Sequence, residues 1–309
     1  MKPILRAPGD AVLGIALTVI GAAGFACKGV FAKLLYADGW TVNAVITTRA
    51  FLALPLIALW TIHSIGWRSL RQLNGRAIAA AALAGILCYY VGMLLDFQAL
   101  VLIHASVERV LLFSYPSMIV ILYALIYRER PATHVLIALA LTYAGILMVV
   151  TGVDMRVFKS NLTGAGLVLA GALTSAFYYL VSDRYTPRLG SIAFTFFALS
   201  AATACLFGHF LIVSDASVRV WNPTGTTVMA CLVVLGTVLP MLAIAEGVRR
   251  LGAPRAAIVS TVGPPITVFL GIWLLDERLT TPQWLGMALI VAGILNLEVG
   301  QKRPTATPV

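Results

Sequence analysis

Seven charged side chains stand inside or at the edges of long apolar runs: Lys28, Arg49, Asp96, Glu108, Arg109, Asp183 and Glu246. A charge at the centre of a bilayer costs about 2.5–3.5 kcal/mol on insertion scales, so it faces a cavity or a partner. Asp96 and Arg109 flank a turn near residue 102 at similar distances, which permits an ion pair between antiparallel helices. Such a pair would clamp the hairpin, or one member would titrate or touch substrate. Glu108 projects about 100° round the helix from Arg109, toward a cavity or the external mouth, and is a candidate proton-coupling carboxylate. The guanidinium of Arg49 offers bidentate geometry to a carboxylate; it could equally neutralise helix carbonyls or pair with an acid. Lys28 is an ammonium beside glycines that would let a ligand approach. Asp183 and Glu246 lie near span ends, where snorkelling makes a charge cheap, and Glu246 is expected to form a surface pair with Arg249 or Arg250.

Uncharged groups add to this set. Tyr89-Tyr90 and Tyr178-Tyr179 stand well inside apolar runs, away from the interfaces where Tyr usually anchors. Buried phenols need hydrogen-bond partners, so these residues and Tyr115 either line a cavity or bond neighbouring helices, with one member of each pair facing inward. Pro116 and Pro264-Pro265 are expected to bend two helices. Carbonyls freed there could line a polar cavity, with Ser114, Ser260 and Thr261 adding hydroxyls. The alternative is a packing kink without ligand contact.

Other chemistries lack their residues. There is no phosphate-binding G-x-x-x-x-G-K-[ST] loop and no H-E-x-x-H, and the four histidines are scattered. Cys27, Cys88, Cys205 and Cys231 form no C-x-x-C pair and sit in apolar segments. No metal site, cofactor or catalytic residue is expected. An intramembrane enzyme would have to draw on Asp96, Glu108 and Arg109 alone.

These groups are carried by a chain that is 60% hydrophobic and 11% charged. Soluble domains carry about 25% charged residues. Lipid is therefore the expected solvent, and each spanning helix needs roughly 20 apolar residues. The apolar runs give ten spans, at about 11–35, 41–65, 77–100, 105–127, 134–151, 162–182, 190–213, 225–246, 254–275 and 282–299. The polar tail 301–309 is expected to be disordered and cytoplasmic. The net charge of +10 does not point to nucleic acid, because the basic residues lie singly or in small groups between apolar runs. With the N-terminus inside, fourteen Lys and Arg fall on cytoplasmic segments and five outside. That bias places both termini in the cytoplasm.

The chain also resembles itself. Residues 103–152, shifted by 148, fall on 251–300 without a gap. Pro116 meets Pro264, Glu129-Arg130 meets Glu277-Arg278, and Ala144-Gly145-Ile146-Leu147 meets Ala292-Gly293-Ile294-Leu295. A shift of 150 brings Gly14, Gly21, Ala22 and Ala26 onto Gly164, Gly171, Ala172 and Ala176. The expected organisation is an all-α integral membrane protein of two five-helix repeats, 1–152 and 153–300. Five spans is an odd number, so the second repeat enters the membrane inverted, an arrangement that builds alternating access around a midplane site.

The residues that carry a family resemblance run through nearly the whole chain. They are GFACKGVFAKLLYADG in the first span, the arginine and proline of TTRAFLALP in the second, LDFQALVLIHASVERVLLFSYPSMIV across the third and fourth, and the two Glu-Arg helix ends with their AGIL successors. The chain resembles the EamA-type members of the drug/metabolite transporter superfamily. That resemblance implies a secondary transporter of the bacterial inner membrane, exporting small metabolites, with amino acids including aromatic ones foremost. It implies a small-molecule substrate and the lipid bilayer as partners, and action as a monomer. A passive uniporter or channel is the alternative.

Overall fold

In hydrocarbon each backbone N–H and C=O must be paired within the protein, which makes the helix the available form for these apolar runs. The computed structural model describes residues 8–66, 70, 73–128, 133–151, 155–213, 222–251, 259–260 and 262–300. Every element among them is helical. The first half comprises α1 (Pro8–Ala37), α2 (Val42–Ile65), α3 (Gly75–Gly85), a π-helical segment (Ile86–Gly92), α4 (Met93–Leu102), α5 (Ala105–Leu112), α6 (Tyr115–Tyr127) and α7 (Thr133–Thr151). There follow α8 (Met155–Leu189), α9 (Ser191–Val213), α10 (Pro223–Val233), a second π-helical segment (Val234–Val238), α11 (Leu239–Leu251), α12 (Gly263–Leu275) and α13 (Thr281–Gly300).

Among the described residues, seven helical stretches are long and apolar enough to cross a membrane: Val12–Ala37, Val42–Ile65, Gly75–Leu102, Ala105–Ile126, Ser160–Thr186, Ile192–Val213 and Pro223–Ile244. Leu136–Val149 and Gly263–Leu275 are apolar but shorter. Large side chains such as Ile212 and Trp273 are 85% and 68% exposed, which suits a lipid-facing surface. The tail 301–309 lies outside the described residues.

Elements recur at a constant spacing. α10 begins 148 residues after α3, the second π-helical segment 148 after the first, α12 148 after α6, and α13 148 after α7. Asn74 and Asn222 cap α3 and α10 with their side-chain oxygens. Arg128 (φ 56°) and Asp276 (φ 50°) close α6 and α12 in the left-handed region. Both pairs keep the same spacing.

The prolines do something other than bend a continuous helix. Pro116 and Pro264 stand in the first turns of α6 and α12, where a missing N–H breaks no helical hydrogen bond. The bend ahead of Pro116 is a break: α5 stops at Leu112, and Phe113 and Ser114 turn the chain before α6. Pro264 is buried, whereas Pro265 is exposed.

Small residues let the helices approach. Gly21 and Gly24 of α1 lie against Ile244 and Pro240 of α11. α7 packs along α13, where a Cβ on Gly286 would fall 2.6 Å from the Gly145 carbonyl oxygen and 2.8 Å from a Val149 methyl. Gly286→Val should therefore wedge α7 from α13 and cost about 1–3 kcal/mol. In detergent its unfolding temperature should fall clearly, while Gly166→Ala, whose added methyl meets nothing within 4 Å, should match the wild type.

Candidate functional site

The deepest polar feature is a cluster of charges held by α1, α4 and α5. Lys28 is buried and bonds Asp96 Oδ2 through Nζ. Glu108 Oε1 stands 3.7 Å from the same ammonium. Asp96 thus takes Lys28 as its partner in place of Arg109, the pairing expected from depth alone. Arg109 lies beside the cluster within electrostatic range of both acids, and its guanidinium sits over the Phe113 ring, 5.1 Å from the centroid. Phe97, fully buried, lies between two cations: Lys28 Nζ is 5.4 Å from its centroid and the Arg49 guanidinium 5.2 Å. Tyr36 donates its hydroxyl to the Phe97 carbonyl at 3.0 Å, which anchors this ring to α1.

Beside the cluster runs a cleft enclosing about 550 Å³ of atom-free space, part of it open to the outside. α2 supplies Arg49, Ala53 and Ile57, and the first π-helical segment supplies Tyr89. From the other half come Thr203 and Leu206 of α9 and Thr237 of the second π-helical segment. Arg49 is the charged side chain of an otherwise apolar and hydroxyl-bearing wall. Its Nη1 reaches Thr237 Oγ1 at 3.4 Å, while its Nε is buried without a hydrogen-bond partner. Thr237 in turn donates to the Leu232 carbonyl five residues back. π-helical segments of this kind occur mostly at functional sites. Here both place a polar side chain, Tyr89 and Thr237, on the cleft.

The other expected lining residues lie elsewhere. Tyr90 bonds His209 Nδ1 at 2.9 Å. Tyr178 is buried and packs edge-on to Tyr89, with ring centroids 5.0 Å apart. Tyr179 is 47% exposed and stacks on Tyr115 at 5.2 Å. Ser260 is half-buried and outside the cleft wall. Of each tyrosine pair, then, only Tyr89 reaches the cleft. Glu246 pairs with Arg250 at 2.7 Å, as its position at the span end implied. Sequence reasoning missed Phe97, Thr203 and Thr237, which carry no charge, and Met93 and Met241, which also line the cleft. A signal existed for two of them: Thr237 and Met241 follow Tyr89 and Met93 by 148 residues.

A second polar junction joins the chain's halves. Glu277, in the loop between α12 and α13, accepts hydrogen bonds from the Ala105 N–H (2.6 Å), the Ser106 N–H (3.2 Å) and the Ser106 hydroxyl (2.5 Å). It thereby supplies the N-terminal cap that α5 lacks locally, at the end of the helix where the dipole favours a carboxylate. Burial pushes the Glu277 carboxyl up, but His104, Ser106 and the Ala105 N–H outweigh that and hold it below the usual carboxylate range. Nearby, Asn222 donates to Asp38 Oδ1 at 2.8 Å, joining the α1–α2 turn to the start of α10.

A lipid-facing helical bundle with buried charges and a singly charged cleft between its halves is the build of a multi-pass membrane transporter. The chain belongs to the EamA-like transporter family, whose model matches residues 12–151 and again 162–297. It is 30% identical over 294 residues to the uncharacterized transporter YcbK of Bacillus subtilis, covering 94% of each chain. It is 26% identical over 204 residues to the uncharacterized inner membrane transporter YicL of Salmonella typhimurium, covering 65% of this chain and 66% of that one. A solved crystal structure shares the fold with a TM-score of 0.63 at 16% identity, over 96% of this chain and all of the other. The protein is a multi-pass protein of the inner membrane, and the names of its relatives are those of transporters rather than enzymes.

Two consequences can be measured. Lys28→Met leaves two buried carboxyls without their ammonium, and breaking a buried pair costs about 3–5 kcal/mol. Its unfolding temperature should fall further than that of Lys28→Met/Asp96→Leu, which removes both partners. Glu277 has a depressed carboxyl in the folded state, so its stabilisation is complete above the ordinary Glu range and is lost as pH falls through the lower folded value. Wild-type unfolding temperature should therefore drop on acidification. Glu277→Gln should be less stable at neutral pH by about 1–3 kcal/mol and show a shallower acid drop.

Proposed function

We propose that this protein is a secondary transporter that exports small amphipathic metabolites, foremost amino acids including aromatic ones, by alternating access around the cleft. In this reading ten membrane-spanning helices form two inverted five-helix halves, 1–152 and 153–300, with both termini in the cytoplasm, and the molecule acts as a monomer. The double match of the family model and the 148-residue recurrence of helices, π-helical segments and capping residues support the two halves.

The composition of the cleft wall carries the proposal. Its lining falls into counterpart pairs: Tyr89 with Thr237 and Met93 with Met241 at a spacing of 148, and Ala53 with Ala202 and Ile57 with Leu206 at 149. A wall drawn from both halves opens to one side or the other when the halves rock. Arg49 breaks the pairing, because the residue 149 further on is Ala198. A single guanidinium with an open donor, set in an apolar wall, suits one carboxylate on an apolar body. A substrate with several phosphates would need more cations than the wall supplies. In the proposed topology the Asp38–Asn222 and Glu277–α5 junctions both lie on the external side, which assigns them the role of an outer gate.

Reconstitution into liposomes tests this. Preloaded protein should drive saturable counterflow of labelled phenylalanine or another amino acid. Arg49→Met removes a charge-assisted hydrogen bond of about 1.5–3 kcal/mol, so its apparent affinity should fall about 10–100-fold. Absence of counterflow for every amino acid would sink the amino-acid reading, and flux that never saturates would make the protein a channel.

A further inference from the structure

The charge cluster holds two acids but only one hydrogen-bonded cation. Glu108 is fully buried, and neither of its carboxyl oxygens has a hydrogen-bond partner. Lys28, at 3.7 Å, is within ion-pair range but beyond a hydrogen bond, because its ammonium is bonded to Asp96. Asp96 has an orphan of its own: Oδ1 is buried and unpartnered. The two carboxyl groups meet at the same ammonium. As two carboxylates they can only repel, and each buried orphan oxygen costs free energy. One proton on Glu108 reverses this, since the new O–H gives Asp96 the donor it lacks and removes the surplus negative charge.

We propose that Glu108 and Asp96 form a proton-binding site, with one proton held between the carboxyls and Lys28 bonded to whichever is ionised. The other groups facing it are Lys33 and Tyr36 from α1 and Arg109 from the helix of Glu108, within electrostatic range of Glu108, and Arg49 from α2 and Cys88 from the first π-helical segment, within electrostatic range of Asp96. Among the described side chains, α12 and α13 bring no charge against it. Gly29 of α1 gives the site its room, since a Cβ there would fall 3.2 Å from Glu108 Oε2. When the site loses its proton, the Glu108 O–H bond breaks, the proton leaves to water, and the electron pair stays on the carboxylate. Glu108 then competes with Asp96 for the same ammonium. Closing the 3.7 Å gap draws Lys28, and α1 with it, toward α5. Phe25, one turn before Lys28, lines the cleft, so proton release is felt at the substrate wall. The use of the site for coupling rests on the transporter reading; its existence as a proton site does not.

Infrared difference spectroscopy of the purified protein, titrated with acid and base alone, tests the site without any substrate. The wild type should show one buried carboxylic-acid C=O band that shifts in D2O and disappears on deprotonation. Glu108→Gln should lose that band. Asp96→Asn should lose it too, because Lys28 then faces Glu108 as its one acid and holds it ionised. If Glu108→Gln does not purify as a folded species, Glu108→Asp, which retains the acid, should move the band instead. No such band in the wild type over the pH range in which it stays folded would overturn the proposal. So would a band insensitive to both positions, or one insensitive to Asp96→Asn. Failure of every amino acid in the counterflow assay would remove the substrate assignment and leave this titration standing.

Discussion

Lys28 carries a full charge into a place that water does not reach, and it stays there only because Asp96 is fixed opposite it. In such a medium a charge without a partner is worth several kcal/mol of instability, so the pair sets the depth and rotation of α1 against α4. Much else hangs on that placement. α1 seats its glycines on α11, and the α12 hydroxyl of Thr267 bonds its Ala26 carbonyl at 3.1 Å. Phe97, next to Asp96, then falls between Lys28 and Arg49, where its ring faces two cations at once. Cation–π contact strengthens on desolvation, so the ring helps keep both cations at a depth they would otherwise leave.

The backbone answers the same low-dielectric constraint. A π-helical turn leaves carbonyls without their usual donors, which hydrocarbon does not forgive. The second segment meets the need with a side chain: Thr237 caps the Leu232 carbonyl and offers its oxygen to Arg49. A local distortion of α-helical pairing is thereby turned into a polar spot on the cleft. At α5, whose short helix begins without a local side-chain cap, the solution comes from the other half of the chain. Glu277 reaches across to take two of its N–H groups.

Apolar length made the helices legible, and the ungapped match at a shift of 148 pointed to elements that the structure also spaces by 148. Charge in an apolar run made Lys28, Arg49, Asp96 and Glu108 legible as a set, because few explanations exist for such residues in lipid. Pairing within the set was not legible. Depth along antiparallel helices favoured Arg109 for Asp96, but rotation about each axis decides contact, and α1 presents Lys28 to the spot. The tyrosines failed for the same reason: Tyr89 and Tyr90 are adjacent in sequence and point to a cleft wall and to His209. The π-helical segments leave no compositional mark, since the residues that form them would make ordinary helix elsewhere. Proline was expected to bend a helix in mid-course, but the chain breaks at Phe113 and Ser114, and Pro116 stands in the first turn of the helix that follows.

The two halves share a frame but not their charges, and electrostatics explains why. A cleft lined by counterpart residues has room for a cation on each side. Two guanidiniums in that wall would repel each other across a low-dielectric space, and a substrate with one carboxylate could neutralise only one of them. With Ala198 as the counterpart of Arg49, that cost is avoided. The same reasoning holds for the buried cluster, where the positions 148 residues after Asp96, Glu108 and Arg109 are Ile244, Ala256 and Ala257, apolar in each case. A second set of acids and lysine would double the desolvation cost while adding no new geometry. The second half then supplies apolar shape at these positions, and the first half supplies the charges of the cluster and the cleft.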